Sequence, residues 1–230
     1  MVGAKRFAEL CRFVRSCLDE SAASTDQAWV RSFPRAAEHR WRHTLNVLRN
    51  GERILKGEGA DEPTAAVIRA AAVLHDDSMF VRDHAVRGEG SAEIARVDLV
   101  EPVYAEGFAR RASRAIAEHG TNLGPLPPDK QGEVLPFEGK GLIQADILDR
   151  LGANAVTGAL LGLGKGGKLS HECRAAIAQG VVMERATLFK DYVWTETGTR
   201  LAAERYLVFV DFLKQLAEEV DDAQDPCGSA

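Results

Sequence analysis

No run of Lys and Arg in this chain is long enough to track a phosphate backbone, and the formal net charge is −5. Both observations argue against a dedicated nucleic-acid platform. A small phosphorylated substrate is still compatible, because one or two local cations suffice for it. No apolar stretch approaches the ~20 residues of a membrane span. The first residues lack the apolar core of a signal peptide, so a soluble, cytoplasmic protein is expected. The four cysteines, Cys11, Cys17, Cys173 and Cys227, form no CxxC pair. That leaves reduced, partly buried thiols rather than a zinc or redox motif. No stretch alternates apolar and polar residues between hairpin turns, so no strand is expected, and no internal repeat is present.

What is there suits one helical domain. The chain has 230 residues, 45% of them hydrophobic, enough for a full core. Apolar spacing predicts a first helix over 4–18 and a long one over 38–56. Trp41, Leu45, Leu48 and Leu55 form the expected core stripe of the second, with His43 and Val47 on its flank. Asp61 and Pro63 mark a further helix start. Glu101-Pro102 opens another, with the stripe Ala105, Phe108, Ala112, Ile116 and His119, closed by Gly120. Residues 121–132 hold three prolines and read as irregular. Helices are expected over 139–163, 171–189 and 196–220, the last with the stripe Ala202, Tyr206, Phe209, Leu213, Leu216 and Val220. The division expected is one domain over 1–222, with its functional core at about 38–160, and a disordered tail over 223–230.

The most informative feature is the end of the third predicted helix. Residues 65–74 are almost all small or apolar, and they stop at His75-Asp76-Asp77. An imidazole and a carboxylate at the mouth of a buried helix are costly to desolvate unless something pairs with them. A divalent metal would do so. His43 upstream and Asp146 downstream have the chemistry to complete its shell, each set among apolar neighbours on a helix. Taken singly, each has a plainer reading. His43 alone is a surface or satisfied core histidine, and His39 competes with it. The doublet alone is a helix cap, and Asp146 alone is half of an ion pair with an arginine.

The order His43, His75-Asp76, Asp146 resembles that of the HD-domain superfamily of metal-dependent phosphohydrolases. The resemblance extends from about Trp41 to Val220. It is strengthened by Gln144-Ala-Asp146-Ile-Leu-Asp149 and by Thr195-Glu-Thr197, which are similar to segments of a bacterial subgroup. It implies an all-α, single-domain helical bundle. It also implies a divalent ion (Mn, Co, Ni, Fe, Zn or Mg) held by His43, His75, Asp76 and Asp146. The implied activity is hydrolysis of a small phosphate ester, first of all a nucleotide phosphomonoester, by metal-activated water. Two imidazoles and two carboxylates suit such an ion and leave positions for water and substrate.

Around this set, Asp77 reads as a proton acceptor or as a plain helix-end residue. Asp149 orients a histidine or pairs with Arg150 or Arg53. His119 donates a hydrogen bond near the metal, binds a second metal, or caps its helix. Arg87, in a His-x-x-Arg segment, and Lys140 are the candidate phosphate clamps, the alternative for Arg87 being a solvated loop charge. Gly162-Leu-Gly-Lys-Gly-Gly167 lacks the spacing of a phosphate loop and reads as a helix terminator. Two other functions remain open: an HD-type di-iron oxygenase, for which His84 and His119 are the only extra histidine ligands, and a non-catalytic nucleotide-binding module.

Overall fold

A computed structural model describes residues 4–31, 33, 35–78, 80, 106–120, 128–158 and 191–221. Among them there are helices and no strand. In chain order they are α1 (Ala4–Ser24), α2 (Ala28–Arg31), α3 (Ala36–Gly57), α4 (Glu62–Leu74), α5 (Glu106–Gly120), α6 (Pro128–Val134), α7 (Phe137–Asp149) and α8 (Glu196–Asp221). The protein is thus the all-α bundle expected.

Helix α4 is the axis of the bundle and packs against α1, α3, α5 and α7. It starts where Asp61, in extended conformation, accepts the backbone N–H of Thr64 at 2.9 Å, with proline in the first turn. From Ala65 to Leu74 every residue but Arg69 is buried. Burying Val67, Ile68, Val73 and Leu74 contributes roughly 1.5–3 kcal/mol each. Arg69 lies at the edge of this surface, where Glu52 and Glu62 both bind its guanidinium. The alanines of α4 leave room for close neighbours. Gly141 of α7 is one: a Cβ there would stand 2.6 Å from Ile68 Cδ1.

Helix α3 turns a different face inward from the one the apolar spacing suggests. Thr44, Val47, Asn50, Gly51, Ile54 and Leu55 are buried, whereas Trp41, Leu45 and Leu48 are half-buried. Asn50 is paired at both ends of its amide inside the bundle, donating to the Ala145 carbonyl at 2.9 Å and accepting from Arg205 at 2.7 Å. A polar residue with both ends satisfied occupies the core at low cost.

Other boundaries also differ from expectation. Helix α1 runs on to Ser24, and residues 128–134 of the proline-rich segment are helical. Helix α7 stops at Asp149 and the chain is helical again over 153–158, so the helix expected over 139–163 is broken at 150–152, where Gly152 takes a left-handed φ of 73°. The stripe of α8 is buried at Ala202, Phe209, Leu213 and Leu216, with Tyr206 half-buried. The helix expected over 171–189, the glycine cluster at 162–167, the side chain of Val220 and the tail over 223–230 lie outside the described residues. No described helix is long and apolar enough to cross a membrane.

Candidate metal centre

Three helices deliver the ligands. His43 comes from the middle of α3, Asp146 from the last turns of α7, and His75 is the residue that ends α4. One ligand atom from each of these three lies within 4.8 Å of the others. Asp76 joins them, its Oδ2 standing 3.4 Å from His75 Nε2 and 3.7 Å from His43 Nε2. The structure therefore brings together the four residues that the sequence singles out.

Each imidazole is turned by what its Nδ1 touches. His75 Nδ1 stands 2.8 Å from the carbonyl of Ala72. A carbonyl only accepts, so this nitrogen carries the proton and Nε2 keeps a lone pair. His43 Nδ1 stands 2.7 Å from Asp149 Oδ2 and is fixed the same way. The two Nε2 atoms are then 3.3 Å apart, with Asp146 Oδ1 3.1 Å from that of His43. Electron-rich atoms this close are stable only around a cation. The donor set fits a divalent ion, and the partners on both Nδ1 atoms are of the kind that fix ligating histidines. His43, His75, Asp76 and Asp146 would hold the ion.

Without an ion, a proton takes that role at His43. Burial lowers the basicity of this imidazole, but Asp146 and Asp149 outweigh it and carry its pKa up to about 9. His75 goes the other way: it is fully buried, and burial pushes its pKa down. Burial alone would raise the pKa of Asp76, but the Arg40 guanidinium and His75 hold it well below the usual carboxylate range. Burial is likewise outweighed at Asp146, by Arg150, His119 and His43.

Arg40 and Arg150 also stand at the site: the sequence reading did not name Arg40, and named Arg150 only as a partner for Asp149. Arg40 Nη1 stands 2.5 Å from Asp76 Oδ2, and Arg150 Nη2 stands 2.7 Å from Asp146 Oδ2. The available signal was spacing: Arg40 is three residues before His43, and Arg150 four after Asp146, so each shares a helix face with a ligand. His119 also belongs to the site. Its Nε2 is 3.0 Å from Asp146 Oδ2 and its ring meets that of His75 edge-on at 5.0 Å, while its buried Nδ1 has no hydrogen-bond partner.

The other candidates fall differently. Asp77 is buried directly beyond the doublet and gives its N–H to the Leu74 carbonyl at 3.2 Å. Lys140 precedes Asp146 by six residues, about 9 Å along α7 and about 120° around it. His39 is exposed and meets Phe33 edge-on at 5.5 Å. Arg87 and His84 lie outside the described residues. The Thr-Glu-Thr segment is structural: Gln144 Oε1 accepts from the backbone of Trp194 at 2.8 Å and of Thr195 at 2.9 Å, fixing the start of α8.

No family model matches the chain. It is 25% identical over 198 residues to an uncharacterised protein, YpgQ, of Bacillus subtilis, covering 84% of this chain and 91% of that one. Among solved structures, that of YpgQ in complex with ADP is similar with a TM-score of 0.64 at 21% identity, covering 95% of this chain and 97% of that one. An HD-superfamily hydrolase from Bacillus thuringiensis is similar with a TM-score of 0.64 at 20% identity, covering 96% and 98%. A predicted HD superfamily hydrolase from an uncultured Thermotogales bacterium has a TM-score of 0.55 at 22% identity, covering 90% and 91%. The chain shares the fold of these HD-superfamily structures.

Proposed function

We propose that this chain is a metal-dependent phosphohydrolase that cleaves a small phosphate ester, with a nucleotide phosphomonoester as the first substrate class. The convergence of the His43 and His75 Nε2 atoms with the carboxylates of Asp146 and Asp76 carries the reading. Two likenesses support it. Structures of the same fold are described as hydrolases, and the YpgQ crystal structure holds ADP, a nucleotide. A divalent ion in this site supplies an acidified water and polarises a phosphoryl oxygen.

The chain's own groups do the rest. The Ala72 carbonyl and Asp149 hold the two imidazoles in the ligating tautomer. Arg40 and Arg150, already beside the carboxylates, supply positive charge where phosphoryl oxygens would lie. Asp77, buried directly beyond the doublet, is the proposed acceptor of the water's proton, and Arg87 and Lys140 are the proposed contacts to the phosphate. A second reading has one observation in its favour. His119 reaches Asp146 and faces His75, which suits the extra histidine of a di-iron oxygenase.

One experiment separates the readings: metal content of the purified protein, then phosphate release from a nucleoside monophosphate panel with Mn, Co, Ni or Mg added. One ion per chain, with release that disappears in His75→Ala, is the expected result. Two irons without phosphate release would replace it with the oxygenase, and the absence of any bound metal with the non-catalytic nucleotide module.

A further inference from the structure

Arg205 of α8 reaches two other helices at once. Its Nη1 donates to the carbonyl of Leu148, in the last turn of α7, and its Nη2 donates to Asn50 Oδ1 of α3 at 2.7 Å. Asn50 in turn gives its amide N–H to the carbonyl of Ala145 at 2.9 Å. Two carbonyls of α7 are thus gripped from outside, one just before Asp146 and one between Asp146 and Asp149. A guanidinium only donates, so Arg205 obliges Asn50 to present its oxygen to it and its N–H to α7. The end of the helix is built for this. Gly152 lies against Arg205, and a Cβ there would stand 3.2 Å from Arg205 Cβ.

The same pair of helices meets again at the metal centre, where His43 Nδ1 faces Asp149. His43 and Asn50 are seven residues apart, two turns along one face of α3. Contacts at two levels fix both the sliding and the rotation of α7 on α3, which a single contact cannot do. We propose that Arg205 is a positioning residue for the metal centre. Acting through Asn50 and the Leu148 carbonyl, it sets the register in which Asp146 and Asp149 meet His43. The inference rests on the proposed function only in requiring that the centre bind a divalent ion.

The test is the dissociation constant of Mn2+ and Co2+, titrated separately into metal-free protein well below its melting temperature. Leu213→Ala, a buried position on the same helix, serves as the control for plain destabilisation. Arg205→Met is expected to weaken binding 10–100-fold, the usual cost of losing a group behind the ligands, while Leu213→Ala lowers Tm and leaves affinity unchanged. Arg205→Lys recovers part of the loss, and Asn50→Ala added to Arg205→Met adds little, since both cut one chain of contacts. Should Arg205→Met not fold, Asn50→Ala alone takes its place with the same expectation. Wild-type affinity in a folded Arg205 or Asn50 variant overturns this inference alone, whereas a wild-type protein that binds neither ion overturns it together with the phosphohydrolase reading.

Discussion

His75 and His43 are aimed at the same point by unlike means. His75 is turned by a backbone carbonyl one helical turn earlier on its own helix. Its tautomer is set as soon as α4 forms, and no single substitution of a partner side chain removes the anchor. His43 is turned by Asp149 of another helix, across 106 residues of sequence. Its orientation depends on tertiary packing and on a charged group. One imidazole is therefore set locally, with burial disfavouring its charged form. The other is assembled late and holds a proton up to about pH 9. A metal ion entering the site displaces a proton from the second and not from the first.

The comparison breaks outright if the two histidines prove equivalent. His75→Ala is expected to abolish phosphate release and to weaken metal binding by more than the ~10–100-fold that loss of a group behind the ligands costs, which a titration with Mn2+ reads directly. Asp149→Asn tests the side-chain anchor. An amide can present either an oxygen or an N–H to Nδ1, so the His43 tautomer is no longer fixed, and affinity falls about 10–100-fold.

A pH series sharpens the contrast further. The folded-state pKa of His43 is raised from 6.5 to about 9. Its proton therefore stabilises metal-free protein fully below pH ~6.5, and that stability is lost as pH rises through about 9. The slope is at most ~1.4 kcal/mol per pH unit. Urea unfolding of metal-free protein across this window should show the decline, and saturating metal should remove it, since the ion replaces the proton.

Arg40→Gln has a smaller effect with opposite signs on two readouts. It leaves the buried Asp76 carboxylate without its guanidinium, costing about 2 kcal/mol of metal-free stability, the scale of a hydrogen bond to a charged group. It also frees Asp76 Oδ2, so Mn2+ affinity rises several-fold in calorimetry. At the bottom of the scale, Leu207→Ser on the exposed side of α8 should leave stability within ~0.5 kcal/mol by thermal melting.

The legible parts of the sequence were those in which one segment carries its own signal. The start of α4 is written in Asp61 and Pro63, its burial in ten nearly uniform residues, and the ligand order in residue types. Asp149 was visible as one turn beyond Asp146. The inward face of α3 was not, because burying Asn50 makes sense only once Ala145 and Arg205 are beside it. The place of Arg40 and Arg150 beside the ligands escaped for a related reason. A surface arginine and one that neutralises a ligand look alike until the carboxylate is in place. The early end of α7 follows from Gly152, whose left-handed backbone is invisible among the other glycines of that region.

The centre also has a place in the order of folding. Its atoms come from residues 43, 75, 76, 146 and 149, and the clamp behind it joins positions 155 residues apart. Closing such long loops costs entropy that is recovered only when nearly every helix is docked. Partly folded chains can present the His75 end of α4 but not the complete ligand set. If the centre holds the ion proposed for it, uptake is a late event in folding, and a chain loaded at all four ligands would be one whose distant helices have already met.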